Sequence, residues 1–268
     1  MLTKFKVLTK DLKSPFMDFQ YEIGKWYKCE DFNSDIKKDC SNGFYATDIE
    51  GLTSSFNIDR CVFECEVKGK EAIYDIFKQR YEFIKIIRQC SFEEVKKLAR
   101  EKEDELGYKL SEVLFPINPL LQEPKLDDSH KELLLKWASV SGSVSRGSVG
   151  DSVRDSVGVS VFASVSGSVG ASVSGSVSGS VRDSVGVYVW DFVCGSVWFS
   201  VRDSVWAYIS SLFPNIKKWK YIEHIEGINP FQSCIDLWRS GFVPSYDGKT
   251  WRLHAGKDAK IVYEMKDI

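Results

Sequence analysis

The stretch that decides the fold of this chain runs from Ser139 to Ser211 and repeats the tetrapeptide Ser-Val-x-x: SVSGSVSRGSVGDSVRDSVGVSVFASVSGSVGASVSGSVSGSVRDSVGVYVWDFVCGSVWFSVRDSVWAYISS. From Val149 to Val205 the valines keep one period of four residues, and Ile209 continues it. Repeats of this kind bury their apolar faces against neighbouring copies, so they decide the architecture. The repeat is expected to build a surface, because it contains no pattern typical of reaction chemistry.

A β-solenoid explains this pattern better than a helix does. A step of four residues turns an α-helix by about 400°, so the valine stripe would drift by about 40° per repeat. Each glycine inside a helix also costs about 1 kcal/mol relative to alanine. Short strands joined by corners instead place the valines inward and the variable pair outward. We therefore predict mixed α+β flanking domains around a central β-solenoid, with a long helix or a disordered low-complexity segment as alternatives.

The repeat divides the chain into three predicted parts. These are an N-terminal β-rich α+β domain over 1–138, the repeat segment over 139–211 and a small C-terminal α+β domain over 212–268. Alternation of apolar and polar residues, bounded by turn residues, predicts the strands of the first part. The predicted strands are Lys4–Thr9, Tyr21–Cys29, Asn42–Asp48, Arg60–Val67 and Phe83–Gln89.

Local signals also predict helices and turns in the flanking parts. Ser91 and Glu94 form a capping box that starts a helix, which should stop at Gly107, and a second helix should cover about 128–138. After the repeat we expect a strand over 216–222 and a helix over 230–240. An Asp-Gly turn at Asp247 then predicts an antiparallel meander with 259–264.

The overall charge and hydropathy make some classes of protein improbable. The 268 residues carry a formal charge of −2, which gives no signal for nucleic-acid binding. Charges within the repeat nearly cancel, so it is expected neither to bind DNA nor to imitate it. The N-terminus lacks the apolar core of a signal peptide, and no apolar stretch of about eighteen residues predicts a membrane span. We expect a cytoplasmic protein with reduced cysteines.

The sequence contains no motif that predicts a catalytic site. There is no phosphate-binding glycine loop, and the cysteines lack zinc-finger spacing, so no metal and no cofactor are predicted. Cys61 and Cys65 share a face of a predicted strand and are expected to be buried thiols. His254, in a predicted hairpin, is the histidine weighed as an acid or base, against the alternative of a packed side chain.

One phrase resembles ADP-ribosyltransferase-like folds. Gly43-Phe44-Tyr45-Ala46-Thr47, followed by a short helix and the strand CVFECEV, is similar to the Gly-Phe-Tyr strand of those enzymes. The resemblance implies a His or Arg on an early strand and a later glutamate at the nicotinamide ribose. The opening strand Lys4–Thr9 holds neither His nor Arg, and Glu64 and Glu66 fit exposed strand positions. A fold resemblance without the activity is therefore expected.

A broader resemblance covers residues 4–98. KFKVLTKDL, GKWYKC, CSNGFYATDIEGL and FIKIIRQCSFEEV are similar to an uncharacterised family of phage and prophage accessory proteins with a Gly-Phe-His/Tyr-Ala N-terminal domain. The C-terminal WRLHAGKDAKIVYE resembles the tail of related clostridial phage proteins that carry Ser-Val repeats. The resemblance implies a bacterial host cytoplasm and brings no catalytic residues with it.

These observations favour a non-enzymatic phage or mobile-element protein that uses the repeat as an arm for protein–protein interaction. Its partner would be a host factor, which would make it an inhibitor of a defence system, or a second copy of the chain. Aromatic residues near the end of the repeat are the predicted binding residues: Trp190, Trp198, Phe199, Trp206 and Tyr208. The alternatives are a nucleotide-acting enzyme in the N-terminal domain and a small-ligand-binding protein.

Overall fold

The computed structural model describes residues 2–38, 41–54, 60–75, 79–144, 149–169, 173, 177–178, 180–181 and 191–266, with the side chains of 54, 159–160, 164 and 191–198 outside the description. The chain divides into two units, which are taken one at a time. Unit 1 comprises Met1–Leu106 and Val113–Phe115, and unit 2 comprises Gly107–Glu112 and Pro116–Ile268.

Unit 1 is built on an antiparallel sheet. Its strands are β1 (Leu2–Leu8), β2 (Trp26–Lys28), β3 (Phe44–Tyr45), β4 (Cys61–Ile73) and β5 (Gln79–Gln89). The order is β1-β4-β5-β2, and β3 also pairs with β5. Each of the five predicted strands overlaps an observed one, although β2 and β3 are much shorter than predicted. A 3-10 helix (Glu50–Ser54) and the helix α1 (Phe92–Leu106) complete the regular elements described in this unit.

The face of the sheet that forms the core follows the register of β1 against β4. Lys4 lies opposite Cys65, and Leu8 lies opposite Cys61. Because side chains alternate along a strand, Lys4, Lys6 and Leu8 share this face. The buried cluster on it contains Leu8, Tyr21, Ala46, Cys61, Phe63, Cys65, Val67, Tyr81, Ile84 and Ile86. Two lysines of the opening strand therefore point to the apolar side of the sheet.

The start and the end of α1 agree with the sequence prediction. The backbone N–H of Ser91 donates to the Glu94 carboxylate at 2.7 Å, and the Glu94 N–H donates to Ser91 Oγ at 3.2 Å. Gly107 follows the last helical residue with φ of +73°, a conformation that favours glycine at a helix end. The predicted capping box is confirmed.

Unit 2 combines helices with a second antiparallel sheet. Its elements are a 3-10 helix (Pro119–Leu121), α3 (Asp128–Ser143), α4 (Val149–Val157), α5 (Val159–Val169), α6 (Asp191–Ser210), α7 (Gln232–Arg239), β6 (Val243–Tyr246), β7 (Thr250–Ala255) and β8 (Lys260–Lys266). The short helix α2 (Leu110–Leu114) has residues in both units. The sheet order β6-β7-β8 and the helix α7 confirm the predicted meander and the helix before it.

The predicted β-solenoid is wrong. The described elements of the repeat are the last residues of α3 and the helices α4, α5 and α6, and the two sheets lie outside it. The valines nevertheless point inward at most described positions of the repeat. At most 2% of the surface is exposed at Val149, Val153, Val165, Val169, Val173, Val177, Val181, Val201 and Val205.

Two physical effects explain why the repeat is helical. First, Gly158, with φ of +103°, separates α4 from α5. Because α4 holds only Val149, Val153 and Val157, its valine stripe drifts by only about 80° and stays on one side. Second, serine hydroxyls bond to carbonyls of their own helix, as Ser204 Oγ does to the Val201 carbonyl at 2.7 Å. A serine satisfied in this way can be buried beside valine.

The strand predicted over 216–222 is also wrong, because this segment is a loop bound to α4. The Lys220 N–H donates to Ser156 Oγ at 2.9 Å, and the Lys220 carbonyl accepts from Ser152 Oγ at 2.5 Å. The Tyr221 hydroxyl donates to the Asp155 carboxylate at 2.6 Å. Serine side chains of the repeat thus bind the Lys220 backbone groups that a neighbouring strand would otherwise bind, and Asp155 binds the Tyr221 side chain.

Candidate functional site

The C-terminal helix of the repeat, α6, exposes one large aromatic ring among its described side chains. Phe199 is 56% exposed. The guanidinium carbon of Arg202, one turn later, lies 5.3 Å from the centroid of this ring. We call Phe199 and Arg202 together the α6 surface. An apolar ring beside a guanidinium group is a common composition of protein-binding surfaces.

Contacts on the opposite side of α6 hold the α6 surface in place. Val201 and Val205 are buried at 1% and 2% exposure. Between Phe199 and Val201, Ser200 Oγ accepts a hydrogen bond from the Tyr246 N–H at 2.8 Å and donates to the Tyr246 carbonyl at 3.2 Å. The helix is thereby fixed to β6, so the ring of Phe199 is presented by a rigid element.

Asp203 connects α6 to α4. Its carboxylate accepts a hydrogen bond from the backbone N–H of Val149, the first residue of α4. Burial raises the pKa of Asp203 to about 6, although Arg202 and the Val149 N–H favour the charged form. An acid at this place satisfies one of the N–H groups that the first turn of a helix leaves without a partner.

Trp206 and Tyr208 are placed differently from Phe199. The partly buried Trp206 ring lies 5.1 Å from the ring of Phe162. Tyr208 is fully buried, and its hydroxyl accepts from the Ile117 N–H at 3.1 Å. It stacks on Trp238 at 5.6 Å, and Trp238 Nε1 donates to the Ile117 carbonyl at 3.0 Å. As placed, Tyr208 is a core residue of unit 2.

The two remaining predicted binding residues are not described at side-chain level. Trp190 lies outside the described residues, and Trp198 belongs to α6 with its side chain outside the description. Of the three predicted rings that the structure describes, Phe199 is the one with more than half of its surface exposed.

Unit 1 contains a polar cluster on the core face of its sheet, which we call the lysine cluster: Lys4, Lys6, Asp48, Gln79 and Tyr81. Lys4 Nζ donates to both Asp48 carboxylate oxygens at 2.7 Å, and Gln79 Nε2 donates to Asp48 at 3.2 Å. The Tyr81 hydroxyl donates to Gln79 Oε1 at 3.0 Å. Burial is the largest single effect and opposes the charge of Lys4, but its hydrogen bond with Asp48 and its electrostatic interactions with Tyr81 and Asp48 together outweigh burial and raise its pKa.

Lys6 has a different environment from Lys4. Its Nζ donates to the Tyr45 carbonyl at 2.6 Å and lies 5.3 Å from the centroid of the Tyr21 ring. Within the described part of the chain, no carboxylate pairs with it. Burial lowers the pKa of Lys6 to about 8, and burial raises the pKa of the neighbouring Cys65 thiol to about 12.

The sequence analysis treated the opening strand only as an alternating pattern and missed this cluster. In such a pattern the polar residues are expected on the solvent side. The signal that could have revealed the cluster is Leu8, because residues two apart on a strand share a face, so Leu8 lies on the same face as Lys4 and Lys6. Glu64 and Glu66, weighed in the resemblance to transferases, bind Arg88 at 2.9 Å and Lys85 at 2.6 Å.

Ser245 and His254 form a serine–histidine pair like that of a hydrolytic enzyme, but neither side chain is exposed to solvent. Ser245 Oγ lies 2.8 Å from His254 Nε2, and Nδ1 lies 2.9 Å from the Ala259 carbonyl. Both side chains are 0% exposed, and burial lowers the pKa of His254 to about 4. The imidazole is neutral near pH 7 and joins β6, β7 and the turn before β8, which is a packing role.

Comparison of the chain with protein-family models, with curated proteins and with solved structures gives no match. In the described ranges, no cluster of three or more His, Cys, Asp or Glu side chains could hold a metal ion. The described helices also include none with the length and apolar character needed to cross a membrane.

Proposed function

We propose that this chain is a non-enzymatic interaction protein that binds another protein through the α6 surface. One observation carries the proposal: the ring of Phe199 is 56% exposed on a helix whose other side is fixed by buried valines and by Ser200. An aromatic ring held in this way loses little conformational freedom when a partner covers it.

The apolar contribution to binding comes from the part of Phe199 that is still exposed. Because a little more than half of this residue is exposed, covering it contributes on the order of 1 kcal/mol, about half of what complete burial of a phenylalanine contributes. The positive charge of Arg202 beside the ring favours acidic groups at the rim of the pocket that receives Phe199. The fitting partner is therefore a protein with an apolar pocket and an acidic rim.

The setting of the interaction follows from the resemblance of residues 4–98 to phage accessory proteins. It supports the bacterial host cytoplasm as the location. Within this proposal the partner is a host protein such as a defence component, and the chain inhibits it. A second copy of the chain is the other partner that the proposal allows.

A photo-crosslinking experiment tests the proposal. The crosslinker p-benzoylphenylalanine replaces Phe199 in one variant and Leu121 in a control, because Leu121 lies in the same unit outside the repeat and is 65% exposed. After irradiation in bacterial cells, we expect one discrete adduct for position 199 and none for position 121. Mass spectrometry then distinguishes a host protein from a second copy. Equal adduct patterns at the two positions would refute the proposal.

A further inference from the structure

We propose that Lys6 in unit 1 reacts with a small aldehyde or ketone to form an imine, so that the lysine cluster is a carbonyl-binding site. This site lies in a different unit from the α6 surface and does not depend on the proposed interaction. The inference rests on how the Lys6 amine is held, on the rings around it and on the polar groups beside it.

Among the described residues, the amine of Lys6 is held by a backbone carbonyl and an aromatic ring and not by an acid. One N–H is committed to the Tyr45 carbonyl at 2.6 Å, and the side chain lies against the Tyr21 ring rather than beside an acid. A neutral amine keeps its lone pair for attack, whereas an ion pair with a carboxylate would hold it protonated. The lowered pKa of Lys6, about 8, agrees with this geometry.

Tyr21, the ring beside the Lys6 amine, belongs to a group of aromatic rings that can provide an apolar wall for the substituent of the carbonyl compound. Phe19 lies 4.7 Å from Tyr21 and 5.4 Å from Tyr27, measured between ring centroids. Phe44 lies 5.8 Å from Phe19. Phe19 is 37% exposed, so this group of aromatic rings reaches the surface of the unit. A small aldehyde with an aromatic or branched apolar group matches this wall.

Polar groups on the same sheet face can manage the protons of the reaction. Lys4 shares the face with Lys6 and is bound to Asp48, whose side chain is 44% exposed. In the reaction, the Lys6 nitrogen attacks the carbonyl carbon, and one of its protons passes to the oxygen to give a carbinolamine. The carbinolamine oxygen accepts a second proton from solvent and leaves as water while the nitrogen lone pair forms the C=N bond. The resulting iminium ion releases its remaining N–H proton to solvent to give the imine. No oxidant or reductant is needed, and water is the only by-product.

The cost of placing an amine here supports a chemical role. A lysine that lies on an apolar face and has no carboxylate partner makes the folded chain less stable than an apolar side chain of similar size would. Lys4, at the equivalent position two residues earlier, has such a carboxylate in Asp48. The lack of one for Lys6 within the described residues is therefore the feature that separates a reactive lysine from a structural one.

The test uses the wild-type chain with benzaldehyde as the probe and cyanoborohydride to reduce the imine to a stable amine. Peptide mass mapping follows each lysine separately. At pH 7.5 we expect Lys6 to be modified at least ~10-fold faster than the exposed Lys10, because burial leaves a larger fraction of the Lys6 amine neutral than is usual for a lysine. Its rate should level off above about pH 8.

Two controls keep the outcome clear. Unfolding the chain in urea should abolish the advantage of Lys6, because the advantage depends on the folded site. The Lys6→Arg variant should lose the rapidly formed adduct and keep the slow labelling of the other lysines. Rates for Lys6 equal to or below those of Lys10 in the folded wild-type chain would overturn the proposal.

Discussion

The carboxylate of Asp203 on α6 accepts a hydrogen bond from the backbone N–H of Val149, the first residue of α4. Two tetrapeptides of the same chain are therefore in contact: the aspartate of one, in α6, binds the first backbone N–H of α4, which belongs to the other. Asp203, the aspartate of the Ser-Val-Arg-Asp unit in α6, is thus part of the packing of unit 2.

Asp203 predicts how stability depends on pH. Its pKa is raised from 3.8 to about 6 on folding, so the folded state retains its proton after the unfolded state has lost it. Stability from this group is complete below pH 4 and is lost as the pH rises to about 6. We expect Asp203→Asn to raise the free energy of unfolding at pH 7 by on the order of 2 kcal/mol. Urea unfolding at pH 4 to 7 should show a shallower decline for the variant, and an unchanged decline would refute this.

Gly150 predicts a close contact inside the repeat. A Cβ at this position would lie 2.7 Å from atoms of the Trp206 ring, so Gly150→Ala should lower stability by about 1–3 kcal/mol. Gly167 in α5 is the matched control, since a Cβ there meets nothing within 4 Å. Gly167→Ala should raise stability by up to about 1 kcal/mol through helix propensity. The same sign of change in both thermal denaturation curves would contradict the packing described.

The aromatic residues of α6 should separate binding from folding. Phe199→Ala should change the free energy of unfolding by less than about 0.5 kcal/mol, because its ring is exposed. Tyr208→Ala should lower it by about 3–5 kcal/mol, since it removes a buried ring and its hydrogen bond to Ile117. Chemical denaturation of the two variants measures both values. A large loss on changing Phe199 would mean that its ring packs inside the chain.

Lys6 predicts a stabilising substitution. Its pKa falls from 10.5 to about 8 on folding, so burial of the charge destabilises the chain fully below pH 8 and progressively less as the pH rises to 10.5. Lys6→Met should therefore raise the free energy of unfolding at pH 7 by on the order of 2 kcal/mol. Lys4→Met, the control on the same face, should lower it because Asp48 loses its partner. Equal effects of the two variants on urea unfolding would contradict the different environments described for Lys6 and Lys4.

Local signals in the sequence were sufficient to predict most of the secondary structure of unit 1 and the C-terminal helix and strands of unit 2. The Ser91–Glu94 capping box depends on residues three apart, and the hairpin turn at Asp247 depends on adjacent ones. Such contacts are local, so short patterns predict them. The five strands of unit 1 were found in the same way, although the alternation alone did not reveal that Lys4 and Lys6 face the core side.

The fold of the repeat could not be predicted because contacts distant in sequence decide it. Val149 is buried where α4 meets α6, and the Gly150 backbone lies against Trp206, more than fifty residues later. Propensity penalised glycine and serine in helices, but close packing and hydroxyl bonds to helix carbonyls offset that penalty. Phe199 was predicted as a binding residue from its type alone, while its exposure depends on how α6 packs on β6.

The most direct test of this account is carbon chemical shifts of the full chain labelled at valine and serine, read at Val149–Val157 and Val201–Ser210. Helical packing of the repeat predicts Cα shifts displaced toward helical values at both segments, with slow exchange of the valine amides. Shifts displaced toward extended values at these positions would contradict the helical repeat and, with it, the presentation of Phe199 on a fixed helix.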